Sequence, residues 1–186
     1  TFTGTTLPNW LTLTDNGNST ATLFGTPTTG GTYNVVITVD DGNGGTATQN
    51  FDISVPFPPK TFVPDDTFES ELEIRGMGDG IINNDSVLTS NISGVGSLNI
   101  NGLGISNSIG IEDFISLTTL EIRNNYLTSL DLTQNSSLNY LDCSGNQFTI
   151  LDLSQNTNLV SIMAHDCGNL NTINMTPSIF LTDLNI

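Results

Sequence analysis

Leu117-Thr-Thr-Leu120-Glu-Ile122-Arg-Asn-Asn125-Tyr-Leu127 recurs as Leu138-Asn-Tyr-Leu141-Asp-Cys143-Ser-Gly-Asn146-Gln-Phe148. The same frame opens again at Leu159, so its starts at 117, 138 and 159 are evenly spaced. A unit this short cannot bury its own apolar side chains. It must stack on copies of itself, and a fixed short period therefore predicts a solenoid.

The spacing L-x-x-L-x-L-x-x-N-x-L resembles that of the leucine-rich repeat family. A second triad, Leu127-Thr-Ser-Leu130-Asp-Leu132, is matched by Phe148-Thr-Ile150-Leu151-Asp-Leu153. Each coil is therefore expected to have extended backbone on both faces rather than a convex helix. Asn125 and Asn146 are expected to bond backbone groups in the turns. The first coil starts at Val95, one position earlier than even spacing would place it. That longer unit is common in internalin-like repeats, and here it continues through Ile105, Ile109, Ile111 and Phe114. The coil that opens at Leu159, third of the evenly spaced ones, carries one extra residue around His165–Asn169. The repeats are assigned to 93–186, with a further coil breaking off at Leu181-Thr-Asp-Leu184-Asn-Ile186.

Upstream, residues 1–55 alternate as strands do. Tyr33, Val35, Ile37 and Val39 share one face of a strong strand, Asp41–Gly45 is a hairpin turn, and Phe51, Ile53 and Val55 share a face of the return strand. Leu7-Pro-Asn-Trp10-Leu-Thr-Leu13, Gly25-Thr-Pro27, Gly31-Thr-Tyr33 and Val39-Asp-Asp41-Gly-Asn-Gly-Gly45 together resemble the second half of an Ig-like or cadherin-like bacterial surface domain. Four or five strands are expected here, against about seven in a complete domain. Pro56-Phe-Pro-Pro-Lys60 reads as a stiff linker. Residues 61–92 read as an N-terminal cap of the solenoid. Asp65 or Asp66 caps a helix there, Glu69 closes a capping box with Asp66, Phe68 and Leu72 face inward, and Gly76 ends the helix. Phe62-Val-Pro-Asp-Asp-Thr-Phe-Glu69 resembles the opening of leucine-rich domains in secreted Bacteroidetes proteins, which implies export by a type IX route. The fold class is thus mainly β: a partial Ig-like sandwich, then a capped leucine-rich-repeat solenoid.

Three basic residues stand against 19 carboxylates, a formal charge of −16. That field repels a phosphate backbone or an anionic bilayer, so nucleic acid is excluded as a partner. No apolar run approaches the ~18 residues of a membrane span. Both ends read as cut from a longer chain, with flanking domains expected in the same polypeptide. Of the two cysteines, Cys143 occupies an inward ladder position and Cys167 falls in the next turn; a bridge between them is conceivable, with an inert buried thiol at Cys143 as the default.

Between the ladder leucines, alternate side chains point out of each strand. Stacking aligns Ser97, Asn99 and Asn101 with Thr119, Glu121 and Arg123, then Tyr140, Asp142 and Ser144, then Ser161, Met163 and His165. Glu121, Arg123, Tyr140, Asp142, Met163 and His165 are the candidate binding residues, set against the plainer reading of a solvated sheet face. No catalytic residue is assigned. His165 is the sole histidine, no two-His zinc motif exists, and G-x-S-x-G is absent. No cofactor is expected. The candidate calcium ligands are Asp40 and Asp41, which a hairpin turn also accounts for, and the acidic cap (Asp65, Asp66, Glu69, Glu71, Glu73, Asp79, Asp85) lacks a D-x-D-x-D-G loop. The expected function is non-catalytic binding of protein or glycan at an extracellular or outer cell surface. The rivals are a substrate-targeting appendage of a larger secreted enzyme and a structural spacer.

Overall fold

The computed structural model describes residues 1–168, 170–176 and 181–186. The chain divides into two units, Thr1–Pro58 and Pro59–Ile186. Sequence places Lys60 in the linker, whereas it opens the first strand of the second unit.

The first unit contains β1 (Phe2–Thr6), β2 (Leu11–Asp15), β3 (Ala21–Gly25), β4 (Gly31–Asp40) and β5 (Thr46–Val55). Strands β1, β4 and β5 form an antiparallel sheet, and β2 and β3 a hairpin. The long β4–β5 register runs from Gly31↔Val55 to Asp40↔Thr46. Its turn is closed by side chains: Asp40 Oδ1 accepts from Gly42 N at 2.7 Å, and Asp41 Oδ1 accepts from Asn43 N at 2.8 Å and Gly45 N at 2.9 Å. Gly42 and Gly44 both take positive φ, as this turn requires. Trp10 packs edge-on against Tyr33 at 5.3 Å. Among the described residues only Leu11 and Val35 of this unit are buried apolar side chains.

The second unit opens with β6 (Lys60–Phe62), α1 (Asp66–Ile74), β7 (Ser86–Leu88) and the single-turn α2 (Thr89–Ile92). The helix begins where sequence chemistry directs. Asp65 is its N-cap, one carboxylate oxygen accepting from Thr67 N and Phe68 N. Phe68 and Leu72, one turn apart, are fully buried, and Gly76 ends the helix at φ 71°. The Asp66–Glu69 capping box does not form. Glu69 is fully buried instead, and its two oxygens accept from Asn84 N and Asp85 N at 3.1 Å each. Three further cap carboxylates are bonded: Glu73 to Asp79 N and Gly80 N, Glu71 to Arg75 at 2.6 Å, and Asp79 to Lys60 at 2.6 Å. The acidity of this region clamps turns.

Several contacts join the cap to the first coil, among them Thr61 Oγ1 donating to Asp113 Oδ2 and Arg75 Nη2 donating to Asn99 O, both at 2.6 Å. Phe68 stacks on Phe114 with centroids 6.4 Å apart, and the second oxygen of Asp65 accepts from Ser106 N, Ser106 Oγ and Asn107 N. Gly110, at φ 103°, lies so close to this seam that a Cβ there would meet Val63 Cγ2 at 2.8 Å and Phe62 O at 2.9 Å.

The coils contribute β8 (Ser97–Asn99), β9 (Thr119–Glu121), β10 (Tyr140–Asp142), β11 (Ile150–Leu153), β12 (Ser161–Met163), β13 (Thr172–Met175) and β14 (Asp183–Asn185). A parallel sheet runs β14-β12-β10-β9-β8, and β11 pairs with β13 on the opposite side. The register aligns Leu98, Leu120, Leu141, Ile162 and Leu184, one from each coil. The two inner steps of that series are equal, and the step at either end is one position longer. Leu151 pairs with Ile173, one position further on than the repeat alone would place its partner, which accommodates the extra residue of the third coil. Asn169 itself lies outside the described residues. Extended backbone on the far side is regular only from β11 onward. In the first coil that side holds a 3-10 turn at Ile111–Asp113. Of the side chains expected to line this coil, Ile105, Ile111 and Phe114 are buried, whereas Ile109 is exposed.

Asp65 carries a pH prediction. Burial alone would raise its carboxyl, but bonds from Ser106 N, Phe68 N, Ser106 Oγ and Asn107 N hold it below the usual value of 3.8. A depressed folded-state pKa stabilises the fold above the unfolded value, and that contribution is lost as pH falls through the folded one. Asp65→Ala should cost about 1–2 kcal/mol at neutral pH. Melting curves should also show a shallower loss of Tm below about pH 4 in the variant than in the parent chain.

Candidate binding face

Each coil turns sharply after its third ladder residue, and the turn's buried backbone groups need partners. Asn125 supplies six. Its Oδ1 accepts from Leu103 N, Gly104 N and Ile105 N, and its Nδ2 donates to Ile100 O, Ile122 O and Arg123 O. Asn146 repeats the pattern one coil later, donating to Ile122 O, Cys143 O and Ser144 O and accepting from Leu127 N. A second column, not anticipated from sequence, stands at the opposite edge. Asn135 Nδ2 donates to Ile111 O and Phe114 O, and Asn156 Nδ2 to Leu132 O and Asn135 O. Its signal is present in the chain: Asn135 and Asn156 stand at the same place in successive repeats, just beyond the ladder residues Leu132 and Leu153.

Cys167 belongs to the first column. It stands one repeat after Asn146 and makes the matching contacts, its thiol donating to Cys143 O at 3.4 Å and His165 O at 3.7 Å. This position of the repeat accepts asparagine or cysteine, so sequence spacing alone marks it. Neither cysteine is bridged. The two thiols are close enough to perturb each other. That contact, followed by burial, raises Cys143 well above its ordinary value, and the same contact lowers Cys167 to about 7.

These columns hold the β8–β9–β10–β12–β14 sheet in register, and the register brings the candidate side chains together. Asp142 pairs with Glu121 on one side and Met163 on the other, and Tyr140 pairs with Thr119 and Ser161. Tyr140 Oη donates to Met163 Sδ at 3.6 Å. Glu121 Oε2 accepts from Asn99 Nδ2 at 3.0 Å and Asn101 Nδ2 at 3.1 Å. Arg123 approaches Asp142 at 3.9 Å while remaining about half exposed, and His165 Nδ1 lies 3.0 Å from the Asp166 carboxylate.

Two members depart from the expected open panel. Asp142 retains 4% exposure and Ser144 2%, because neighbouring strands stand at hydrogen-bonding distance on both sides of these short side chains. Asp142 Oδ1 turns back to accept from Ser144 N at 3.2 Å. The face presented outward is therefore formed by Glu121, Arg123, Tyr140, Met163 and His165, with Asp142 supplying charge from beneath. Burial, then the charges of Asp142 and Glu121, push the Tyr140 phenol up, with Arg123 partly offsetting them. Tyr140 thus stays a neutral donor. The other candidates, Asp40 and Asp41, close their own hairpin in the first unit as described above. Backbone bonds from Asn43 and Gly45 hold the Asp41 carboxyl below its ordinary value.

Comparison with known proteins agrees with this architecture. Residues 1–56 match the family described as "Putative Ig domain". The functional domain of InlJ from Listeria monocytogenes, described as including a cysteine ladder, is similar at 29% identity and a TM-score of 0.53 over 69% of this chain. This chain spans 28% of that structure. The internalins inlF and inlC2 of the same organism match at 17% and 18% identity with TM-scores of 0.40 and 0.41. They cover 62% and 64% of this chain, and 44% and 70% of their own lengths are matched. No curated protein matches. The second unit is a mainly β solenoid of stacked leucine-rich coils, similar to the InlJ domain, and the first carries an Ig-like domain match.

Replacing Asn146 with Ala leaves buried turn groups without partners, each worth about 1–3 kcal/mol. Denaturant unfolding of the variant should show a loss of roughly 3 kcal/mol or more. Cys167→Asn should be tolerated, because the substituted side chain matches the donors and acceptors used by Asn146; a loss as large as that of Asn146→Ala would contradict the ladder assignment.

Proposed function

We propose that this chain is a non-catalytic binding segment, and that the outward face of the five-stranded sheet receives a protein or glycan at an extracellular or outer cell surface. The observation that carries the reading is the continuity of that face. In-register stacking sets the Tyr140–Met163 pair on the same face as Glu121, with Arg123 and His165 two residues past the ends of their strands. Aromatic, methionine and arginine side chains are the types enriched at recognition surfaces. Tyr140 offers a neutral ring and hydroxyl, and the flanking charges supply polar selectivity. Likeness to an internalin domain and the Ig-like match support a surface-adhesion setting.

The finer reading is a segment of a larger secreted or surface-displayed polypeptide of Bacteroidetes type, exported by the type IX route. It rests on the resemblance of Phe62–Glu69 to the opening of such leucine-rich domains. No helix among the described residues is long and apolar enough to cross a membrane.

The test replaces Tyr140, Met163 and His165 together with serine and measures binding to cell surfaces and to glycan arrays. All three are partly exposed side chains away from the ladder positions, Tyr140 and Met163 on the sheet and His165 in the turn that follows, so the melting temperature should move little. Binding should weaken roughly tenfold or more. Unchanged binding by a folded variant would contradict the assignment.

A further inference from the structure

We propose that Cys143 and Cys167 form a redox modification site, closing into a disulfide that ties the second regular coil to the third when a small-molecule disulfide is present. Three independent placements lead there. The residues are not sequence neighbours, yet coil stacking brings the Cys167 sulfur to 3.4 Å from the Cys143 carbonyl oxygen, beside the Cys143 side chain. The position that follows Cys143 in its inward column is Ala164, the smallest side chain in a column otherwise holding Ile100, Ile122 and Cys143, so the next coil sets no bulky side chain at the matching position. Finally, Cys167 lines a solvent-open cavity of about 560 Å³ with Ala164, Asp166, Gly168, Leu170 and Ile173. Cys167, 4% exposed, is thus the sulfur nearer the cavity, and the fully buried Cys143 lies behind it.

The chemistry balances with a small-molecule disulfide of the oxidised-glutathione class as electron acceptor. The Cys167 thiolate attacks one sulfur of the reagent, its S–S bond breaks, and one thiolate leaves, taking up the proton that Cys167 released. Cys143 then attacks the Cys167 sulfur of the mixed disulfide and loses its proton to the departing second thiolate. Two cysteine thiols are oxidised, and one reagent disulfide is reduced to two thiols. Cys167 is suited to the first step because it is ionised at a lower pH than an ordinary cysteine. Cys143, fully buried, is reached only through its neighbour.

The experiment incubates the folded chain with oxidised glutathione and counts thiols after denaturation, with intact mass as a second readout. The expected result is loss of both thiols in a monomer lighter by two hydrogens, with chymotryptic peptides containing Cys143 and Cys167 joined. The first-step rate should rise with pH and level off above about 7. Cys143→Ala should halt the reaction with one glutathione on Cys167, which separates the attacking thiol from the resolving one. Retention of both thiols in the folded chain would overturn the proposal. So would closure that appears only after unfolding, or linkage only between molecules.

Discussion

Buried turn backbone is the constraint on which this structure depends. A coil this short must reverse direction repeatedly within a core lined by leucine and isoleucine, where an unpaired N–H or C=O costs about 1–3 kcal/mol. Asparagine answers that demand because one side chain carries both two donors and an acceptor. Asn125 satisfies three N–H groups of the preceding turn and three carbonyls at once. Leucines supply most of the burial energy, at about 1.5–3 kcal/mol for each side chain removed from water. They would do the same in many registers. The asparagine columns select one.

Register then fixes everything of functional interest. Because the strands of this sheet are so short, a slip of one position would turn Tyr140 and Asp142 inward and Leu141 outward. The columns at both edges prevent this, and Tyr140, Met163, Glu121 and Arg123 meet on one face as a consequence. The cap performs a related task at the start of the array: Asp65 spends one oxygen on its own helix and the other on the first coil. Glu69 and Glu73 are similarly engaged, each accepting from backbone N–H groups of the turns that follow the helix.

Much of this is legible in the sequence, and the failures share a cause. The period yields the solenoid, the inward residues and the columns of outward ones, because spacing determines stacking directly. Asp65, Phe68, Leu72 and Gly76 are readable because helix-end chemistry is local. Glu69 is not. Its spacing from Asp66 fits a capping box, but a distant loop at Asn84–Asp85 competes for the same carboxylate and wins. The burial of Asp142 is likewise invisible, since short side chains between close strands are covered by neighbours from other coils. Cys167 reads as a plain turn residue while asparagine identity is the criterion; by position, it falls in place one repeat after Asn146. The second column at Asn135 and Asn156 escapes a pattern framed on the first triad of each coil, because it follows the second.

Native-state hydrogen exchange tests the central claim most directly. Amides that donate to asparagine side chains, Leu103, Gly104, Ile105 and Leu127, lie in turns rather than strands. If the columns hold the array, the buried pair Ile105 and Leu127 should exchange as slowly as Ile122 and Cys143, which donate to neighbouring coils. Exchange of Ile105 and Leu127 at the rates of exposed turn amides, with Ile122 and Cys143 still protected, would show that leucine packing alone maintains the register and would contradict the account.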